Sequence, residues 1–170
     1  DEAADWLTAA LGEPARLVHL PDDGERAVDP AYARPGDAVS FADAFPVLLL
    51  ARASLDDLNR RLPEPLPMER FRPNLVIDGA GAYEEDRWRR IRVGDVELDV
   101  VKPCARCVVT TTDQRTGARG KEPLRTLATF RRRDGQVLFA WNAIHRSGGV
   151  LKLGDPVEVL EVGPGLELDS

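Results

Sequence analysis

Ile91-Arg-Val-Gly-Asp-Val-Glu-Leu-Asp-Val100 alternates apolar and polar residues on both sides of Gly94-Asp95, the pattern of two half-buried strands joined by a two-residue turn. Much of the chain around this hairpin is also strand-like. Val47-Leu-Leu-Leu50 and Asn74-Leu-Val-Ile77 are short continuous apolar runs, the second bounded by Pro73 and Gly79. Val137 to Ile144 and Val150 to Val162 read as closing strands, with Gly154-Asp155-Pro156 turning between two of them. Arg16-Leu-Val-His-Leu20 reads as a further strand, ahead of a turn at Pro21-Asp-Asp-Gly24 and a polar loop to about Ser40. Helices are few. Ala3, Leu7, Ala10 and Leu11 recur at helical spacing before Gly12 and Pro14. Ser54-Leu-Asp-Asp57 has the form of a capping box opening an amphipathic helix with Leu55, Leu58 and Leu62 on one face, and Pro123 suits a first helical position. Short strands, sparse helices and tight turns predict a mainly β chain with a few short helices (α+β), an antiparallel barrel or sandwich.

At 170 residues and 43% hydrophobic, the chain is long enough for one domain with a substantial core. Its 23 basic and 29 acidic residues leave a net charge of -6, which argues against a nucleic-acid-binding surface. The longest apolar stretch, Phe45 to Ala51, is too short for a membrane span and suits a buried strand. The beginning is not signal-like and two cysteines are too few for a secreted disulfide scaffold, so a reducing, cytoplasmic location is expected, with no membrane partner. The first residue is Asp1, so a piece of a longer chain is expected.

The hairpin runs into Lys102-Pro-Cys-Ala-Arg-Cys-Val-Val-Thr-Thr-Thr-Asp-Gln-Arg-Thr-Gly117, which holds both cysteines, Cys104 and Cys107. A bridge between them would close a very small loop and stabilise little. A thioredoxin-like pair needs a helix N-terminus, whereas Val108-Val-Thr-Thr-Thr112 has strand propensity. Structural zinc wants four ligands, and only the distant His19 and His145 accompany the cysteines. An unreactive buried thiol fits Cys104 better than Cys107, since Lys102 and Arg106 put positive charge around the segment and Arg106 adjoins Cys107.

Phe71-Arg-Pro-Asn74, the Lys102-to-Gly117 segment and Gly154-Asp155-Pro-Val, taken in order with the hairpin between the first two, resemble MOSC domains, the fold named after the C-terminal region of molybdenum-cofactor sulfurases. Phe41-Ala-Asp-Ala-Phe-Pro46, Ala53-Ser-Leu-Asp-Asp-Leu-Asn59 and Glu122-Pro-Leu-Arg-Thr-Leu127 are similar to the amidoxime-reducing branch and its bacterial relatives, so the resemblance covers roughly residues 40 to 162. It implies a MOSC-type β-barrel that binds the pyranopterin molybdenum cofactor and uses a protein thiolate as a metal ligand. It also implies a single MOSC domain over residues 1–170, forming the C-terminal part of a longer chain, with an N-terminal barrel domain as a further partner.

The ligand position of that branch falls on Cys107, and a soft thiolate suits a metal also held by dithiolene sulfurs. Arg72 and Asn74 match positions where the family contacts the pterin; a guanidinium offers forked donors and an amide can both donate and accept. Ala105 and Arg106 fall in the same cofactor-binding segment. Ala105 and Ala44 stand where many relatives carry hydroxyl residues, which leaves backbone donors in their place. Asp43 matches a catalytic carboxylate near the metal, suited to hold a water or deliver a proton. Thr110 and Thr111 read as strand residues, His145 as a surface or capping residue, Lys102 as a strand-end cation and Asn142 as a residue of the same passage that faces the site.

The resemblance therefore implies an oxidoreductase that reduces N-hydroxylated small molecules, with Cys107 and Asp43 as its working residues and electrons supplied by a reductase or ferredoxin-like partner. Two rival readings use the same residues. In one, a cysteine persulfide on Cys107 makes the chain a sulfur carrier; in the other, the chain is a cofactor-binding domain inactive alone.

Overall fold

The computed structural model describes residues 1–21, 24 and 26–169. Among these residues seven strands form one sheet: β1 Val47–Ala51, β2 Leu75–Ile77, β3 Trp88–Val93, β4 Val96–Ala105, β5 Arg132–Arg133, β6 Gln136–His145 and β7 Val157–Val162. The order across it is β2-β1-β6-β4-β3-β7, with β5 pairing β6 off this path. β2 and β7 lie at opposite edges, so the sheet curls into a half-barrel. All neighbours are antiparallel except β1 and β2, which run parallel and depart from the expected antiparallel pattern.

The hairpin that decides the sequence reading is present as expected, with Val93 paired to Val96 across Gly94-Asp95 and Gly94 at φ 55°. Its apolar set, Ile91, Val93, Val96, Leu98 and Val100, joins Leu49, Trp88 and Trp141 in one core cluster. Leu50 and Phe139 point to the opposite face and pack with Leu55, Leu58, Leu62, Phe71 and Leu127. Buried on both faces, β1 needs no polar alternation, which explains the continuous apolar run Val47-Leu-Leu-Leu50.

Among the described residues three α-helices accompany the sheet: α1 Glu2–Leu11, α2 Arg52–Arg61 and α3 Leu124–Leu127. Asp1 caps α1 through its side chain at 2.9 Å from the Ala4 N–H, and Gly12 ends it in the left-handed region at φ 72°. Helix α2 begins before the expected capping box, so Ser54 sits inside it rather than at its cap. The Ser54 hydroxyl instead lies 2.7 and 2.9 Å from the two carboxylate oxygens of buried Glu85 and accepts the Tyr83 N–H at 2.7 Å. A long-range partner overrode the local motif. Pro123 is the N-cap of α3, one residue before the expected position.

Three expected strands are corrected. Residues 16–20 form none, and Leu17 and Val18 are exposed without a strand partner among the described residues. Of the expected turn after them, residues 22 and 23 lie outside the described residues; the Gly24 N–H donates to the Pro21 carbonyl at 2.8 Å. Residues 150–156 are irregular because Asp155 closes a turn on Lys152, its carboxylate accepting the Lys152 N–H at 2.8 Å. The third correction falls on the cysteine segment.

Candidate functional site

Strand β4 carries Pro103 in its interior, where it can donate no ladder bond, and its pairing with β6 shifts register between Val100 and Lys102 and again between Pro103 and Ala105. Ala140 of β6 takes φ 70° in the same region. These irregularities bend the strand as it approaches the cysteines. Pairing ends at Ala105 with Leu138 and a last bond from the Arg106 N–H to the Val137 carbonyl at 2.8 Å.

Beyond Arg106 no neighbouring strand among the described residues receives the chain, and Val108–Thr111 form a turn of 3-10 helix where a strand is expected. The threonine hydroxyls supply the alternative to a ladder: Thr110 Oγ1 donates to the Cys107 carbonyl at 2.9 Å and Thr111 Oγ1 to the Val108 carbonyl at 2.7 Å. Both threonines are buried, so the turn is rooted in the body while Cys107 stands exposed at its head. Val108 and Val109 beside it are exposed as well, at 59% and 54%.

The two cysteines occupy different surroundings. Cys104 is half-buried and its sulfur accepts from Arg106 Nη1 at 3.1 Å. Among the described residues the Cys107 sulfur makes no hydrogen bond. Arg106 turns its side chain inward: Nη2 donates to the Phe71 carbonyl at 2.8 Å and the guanidinium lies 5.6 Å from the Phe71 ring centroid.

Phe71 anchors the second segment of the site. It is fully buried and tilts against Phe139, ring centroids 4.7 Å apart. The chain then reverses through Arg72, which takes φ 55°, a left-handed conformation costly for a residue with a Cβ. Arg72 is exposed, and its guanidinium has no partner among the described residues. Asn74 returns the chain to the sheet: its Oδ1 accepts the Leu48 N–H at 2.8 Å and its N–H donates to the Leu48 carbonyl at 2.8 Å. The amide thus extends the β1–β2 ladder by one residue while its nitrogen remains free of partners among the described residues.

These contacts join Cys104, Arg106 and Phe71, and the chain runs on directly from Phe71 through Arg72 to Asn74, which bonds Leu48. Asp43 belongs to another arrangement. Arg26 clamps its loop by donating to the carbonyls of Ser40 at 2.7 Å, Asp43 at 2.8 Å and Ala42. The Asp43 carboxylate is exposed, and no described contact links it to the cysteine segment. Ala105 is exposed and ends the β4–β6 ladder. Lys102 lies 5.2 Å from the Tyr32 ring and 3.9 Å from an Asp29 oxygen, Asn142 is half-buried opposite Lys102 and Leu48, and His145 is exposed. A cavity of about 240 Å³ lies between Tyr32, Lys102, Arg133 and Leu138, and another of about 320 Å³ lies among residues 27–37; Cys107 lines neither.

Sequence reasoning did not anticipate Arg26 or the segment after the turn. Asp113 accepts the Thr116 N–H at 2.9 Å and the Arg70 Nη2 donor at 2.9 Å, and these bonds hold its carboxyl below the usual range. The Asp113-x-x-Thr116 spacing before Gly117 is a readable turn signal. The pairing with Arg70 across 43 residues is not readable from spacing.

Some donor capacity in this region is unused. The Nε atoms of Arg70 and Arg106 are buried without a hydrogen-bond partner among the described residues. With the free guanidinium of Arg72 and the open thiol of Cys107, they make a donor set suited to a ligand carrying anionic oxygens and a soft metal. Among the described residues no three His, Cys, Asp or Glu side chains converge to cage an ion. A metal held by Cys107 would therefore bring most of its ligands with it, as a dithiolene cofactor does. The set fits such a group. No described helix is long and apolar enough to cross a membrane.

The family model described as MOSC domain matches residues 36–158. Mitochondrial amidoxime-reducing component 1 of Homo sapiens is 39% identical over 175 residues, covering 94% of this chain and 51% of that protein. The Mus musculus counterpart is 40% identical over 173 residues, with 94% and 51% covered. Human mitochondrial amidoxime reducing component 2 is 36% identical over 170 residues, with 92% and 51% covered. The chain thus spans about half the length of the curated relatives it matches. Among solved structures, YiiM from Geobacillus stearothermophilus superposes with a TM-score of 0.51 at 16% identity, over 69% of this chain and 55% of that one, which shows a shared fold.

Proposed function

This chain belongs to the MOSC domain family, and from that premise we propose that it is the molybdenum-cofactor-binding part of an oxidoreductase acting on N-hydroxylated small molecules, as its amidoxime-reducing relatives are named for doing. One observation carries the reading: the two thiols differ, with Cys104 taken up by Arg106 and Cys107 exposed and unused at the head of a turn whose threonines are buried. A structural thiol would be covered. A metal ligand must be reachable.

In this reading the Cys107 sulfur is the protein's ligand to the metal. Arg72 offers its guanidinium to the cofactor's anionic or carbonyl oxygens, and the left-handed backbone at Arg72 is tolerated because it turns that side chain out of the packed Phe71 segment. The free amide nitrogen of Asn74 serves the heterocycle's edge, and Ala105 and Arg106 contribute backbone groups. Asp43 is the group assigned to hold a proton, or a water, for the substrate oxygen. The bound cofactor would supply the two-electron redox chemistry. In balance, an N-hydroxylated substrate R–NHOH takes two electrons and two protons and leaves as R–NH₂ and water.

The test is turnover by the full-length protein. With a chemically reduced viologen as electron source, an aromatic amidoxime should give the amidine and water, and Cys107→Ser should abolish product formation while Cys104→Ser keeps it. Equal turnover by wild type and Cys107→Ser would overturn the reading. The exposure of Cys107 suits the sulfur-carrier alternative equally, and a mass gain of one sulfur atom on Cys107, removed by thiol reductant, would decide for it.

A further inference from the structure

The net charge of -6 is not evenly spread. Between Asp113 and Glu122 the chain carries Arg115, Arg119 and Lys121 and no acidic residue. All three are exposed. The carboxylates that bound the segment are already engaged: Asp113 by Arg70 at 2.9 Å and Glu122 by Arg125 at 2.7 Å. Neither Arg115, Arg119 nor Lys121 forms an ion pair among the described residues. A local charge of +3 therefore stands uncompensated on an acidic protein.

This segment is also fixed in place. The Asp113 N–H donates to the Ala118 carbonyl at 2.8 Å, the Gly120 N–H to the Thr111 carbonyl at 3.0 Å, and Thr112 pairs with Arg119. Gln114 Nε2 donates to the Glu69 carbonyl at 2.6 Å, tying the loop to the segment that leads into Arg72. The loop is thus built directly on Thr111 and Thr112, at the end of the turn whose head carries the exposed Cys107, Val108 and Val109. An apolar centre with a charged rim is the anatomy of a protein-binding surface.

Resting on the oxidoreductase reading, we propose that this loop is the docking surface for an acidic one-electron carrier protein. Reduction of the substrate consumes two electrons, and two cysteines cannot ligate a four-cysteine iron-sulfur cluster within this chain, so the electrons arrive from outside these 170 residues. A carrier that must bind briefly and leave gains from charge steering more than from buried area, and a basic loop built on the turn that carries Cys107 selects acidic carriers over others. A nucleic acid is the less suitable polyanion, because the 29 acidic residues elsewhere on the chain would repel its extended backbone.

The experiment reverses Arg115, Arg119 and Lys121 to glutamate in the full-length protein and uses an acidic plant-type ferredoxin as the probe. Amidoxime turnover is compared with reduced ferredoxin and with a reduced viologen as electron source. The expected result is a KM for ferredoxin raised at least ~10-fold at low salt, converging with wild type as salt is added, while viologen-driven turnover stays within about twofold. Arg119→Glu alone should raise that KM measurably, and Arg16→Glu, an exposed charge reversal at the other end of the chain, should not. An unchanged ferredoxin KM would overturn the proposal. So would loss of molybdenum from the triple variant, which would place the loop in the cofactor site, or tighter binding of single-stranded DNA than of ferredoxin. If wild type turns over no N-hydroxylated substrate with either reductant, the oxidoreductase reading fails by itself. Titration of ferredoxin against wild type and variant without substrate then decides the docking surface.

Discussion

Two polar regions of this molecule obey opposite rules. In the body, Glu85 and Asp86 are buried with every charged group answered: Arg131 holds Asp86 by bonds of 2.6 and 2.9 Å, Trp141 Nε1 donates to Asp86 at 2.8 Å, and Ser54 and the Ala51 N–H hold Glu85. Arg131 further lies 4.6 Å from the Tyr83 ring centroid. Around the cysteines, Cys107 and Arg72 are exposed and without partners among the described residues, the Nε atoms of Arg70 and Arg106 are orphaned, and Arg72 is strained. A buried polar cluster that is complete is doing structural work. One that is left incomplete is where the proposed cofactor would supply the missing partners.

The largest expected effect breaks the first region. Asp86→Ala leaves the Arg131 guanidinium buried and unpaired, and should cost about 3–5 kcal/mol in chemical denaturation. A loss below about 1 kcal/mol would mean that the cluster is not structural. Pairing it with Arg131→Met should restore much of the loss, because replacing a buried ion pair by apolar residues is far cheaper than leaving one charge alone.

The second effect is smaller and lies at the border of the two regions. Arg106→Ala removes the donor to the Phe71 carbonyl and the contact with the Cys104 sulfur, and should cost about 1–3 kcal/mol by the same measurement. Arg72→Gly should act in the opposite direction. Glycine adopts φ 55° freely, so stability should hold or rise by up to about 1 kcal/mol, while cofactor retention falls. If Arg72→Gly destabilises, the arginine is structural and the contrast between the regions collapses.

The smallest effect is the dependence on pH. Burial pushes Asp99 up, but Arg90 and Arg146 hold it below the usual carboxylate range, and Arg34 and Arg146 do the same for Asp37 against its burial. Their contribution is present above the ordinary carboxylate pKa and is lost as pH falls through their lowered values. Glu85 shifts the other way: burial raises it, so its charged form opposes folding, and that opposition is relieved as pH falls through its raised value. Denaturation curves should therefore show stability level or slightly rising on mild acidification, then falling below about pH 4. A monotonic loss from neutral pH downward would show that Glu85 is not held up by burial.

The fold was legible in the sequence wherever a pattern was local. The Ile91–Val100 hairpin, the apolar β1 and the Gly12 stop of α1 each depend on neighbours a few residues away. What failed depended on distance. Ser54 has the form of a cap but answers Glu85, 31 residues on, and the β-prone residues after Cys107 form a 3-10 turn because no strand among the described residues is beside them. Among the candidate site residues, the order of motifs singled out Cys107, Arg72 and Asn74. The inward turn of Arg106 onto Phe71 and Cys104, and the clamp of Arg26 on the Asp43 loop, follow from chain crossings that no spacing rule encodes.

The central claim is that Cys107 and Cys104, three residues apart, have different tasks, and metal content tests it most directly. Molybdenum per chain should be measured by elemental analysis in the full-length wild type, Cys104→Ser and Cys107→Ser, prepared from the same host. The expected result is metal retained in Cys104→Ser and lost from Cys107→Ser, with both variants as stable as wild type to within about 0.5 kcal/mol. Molybdenum retained at the wild-type level in Cys107→Ser would contradict it.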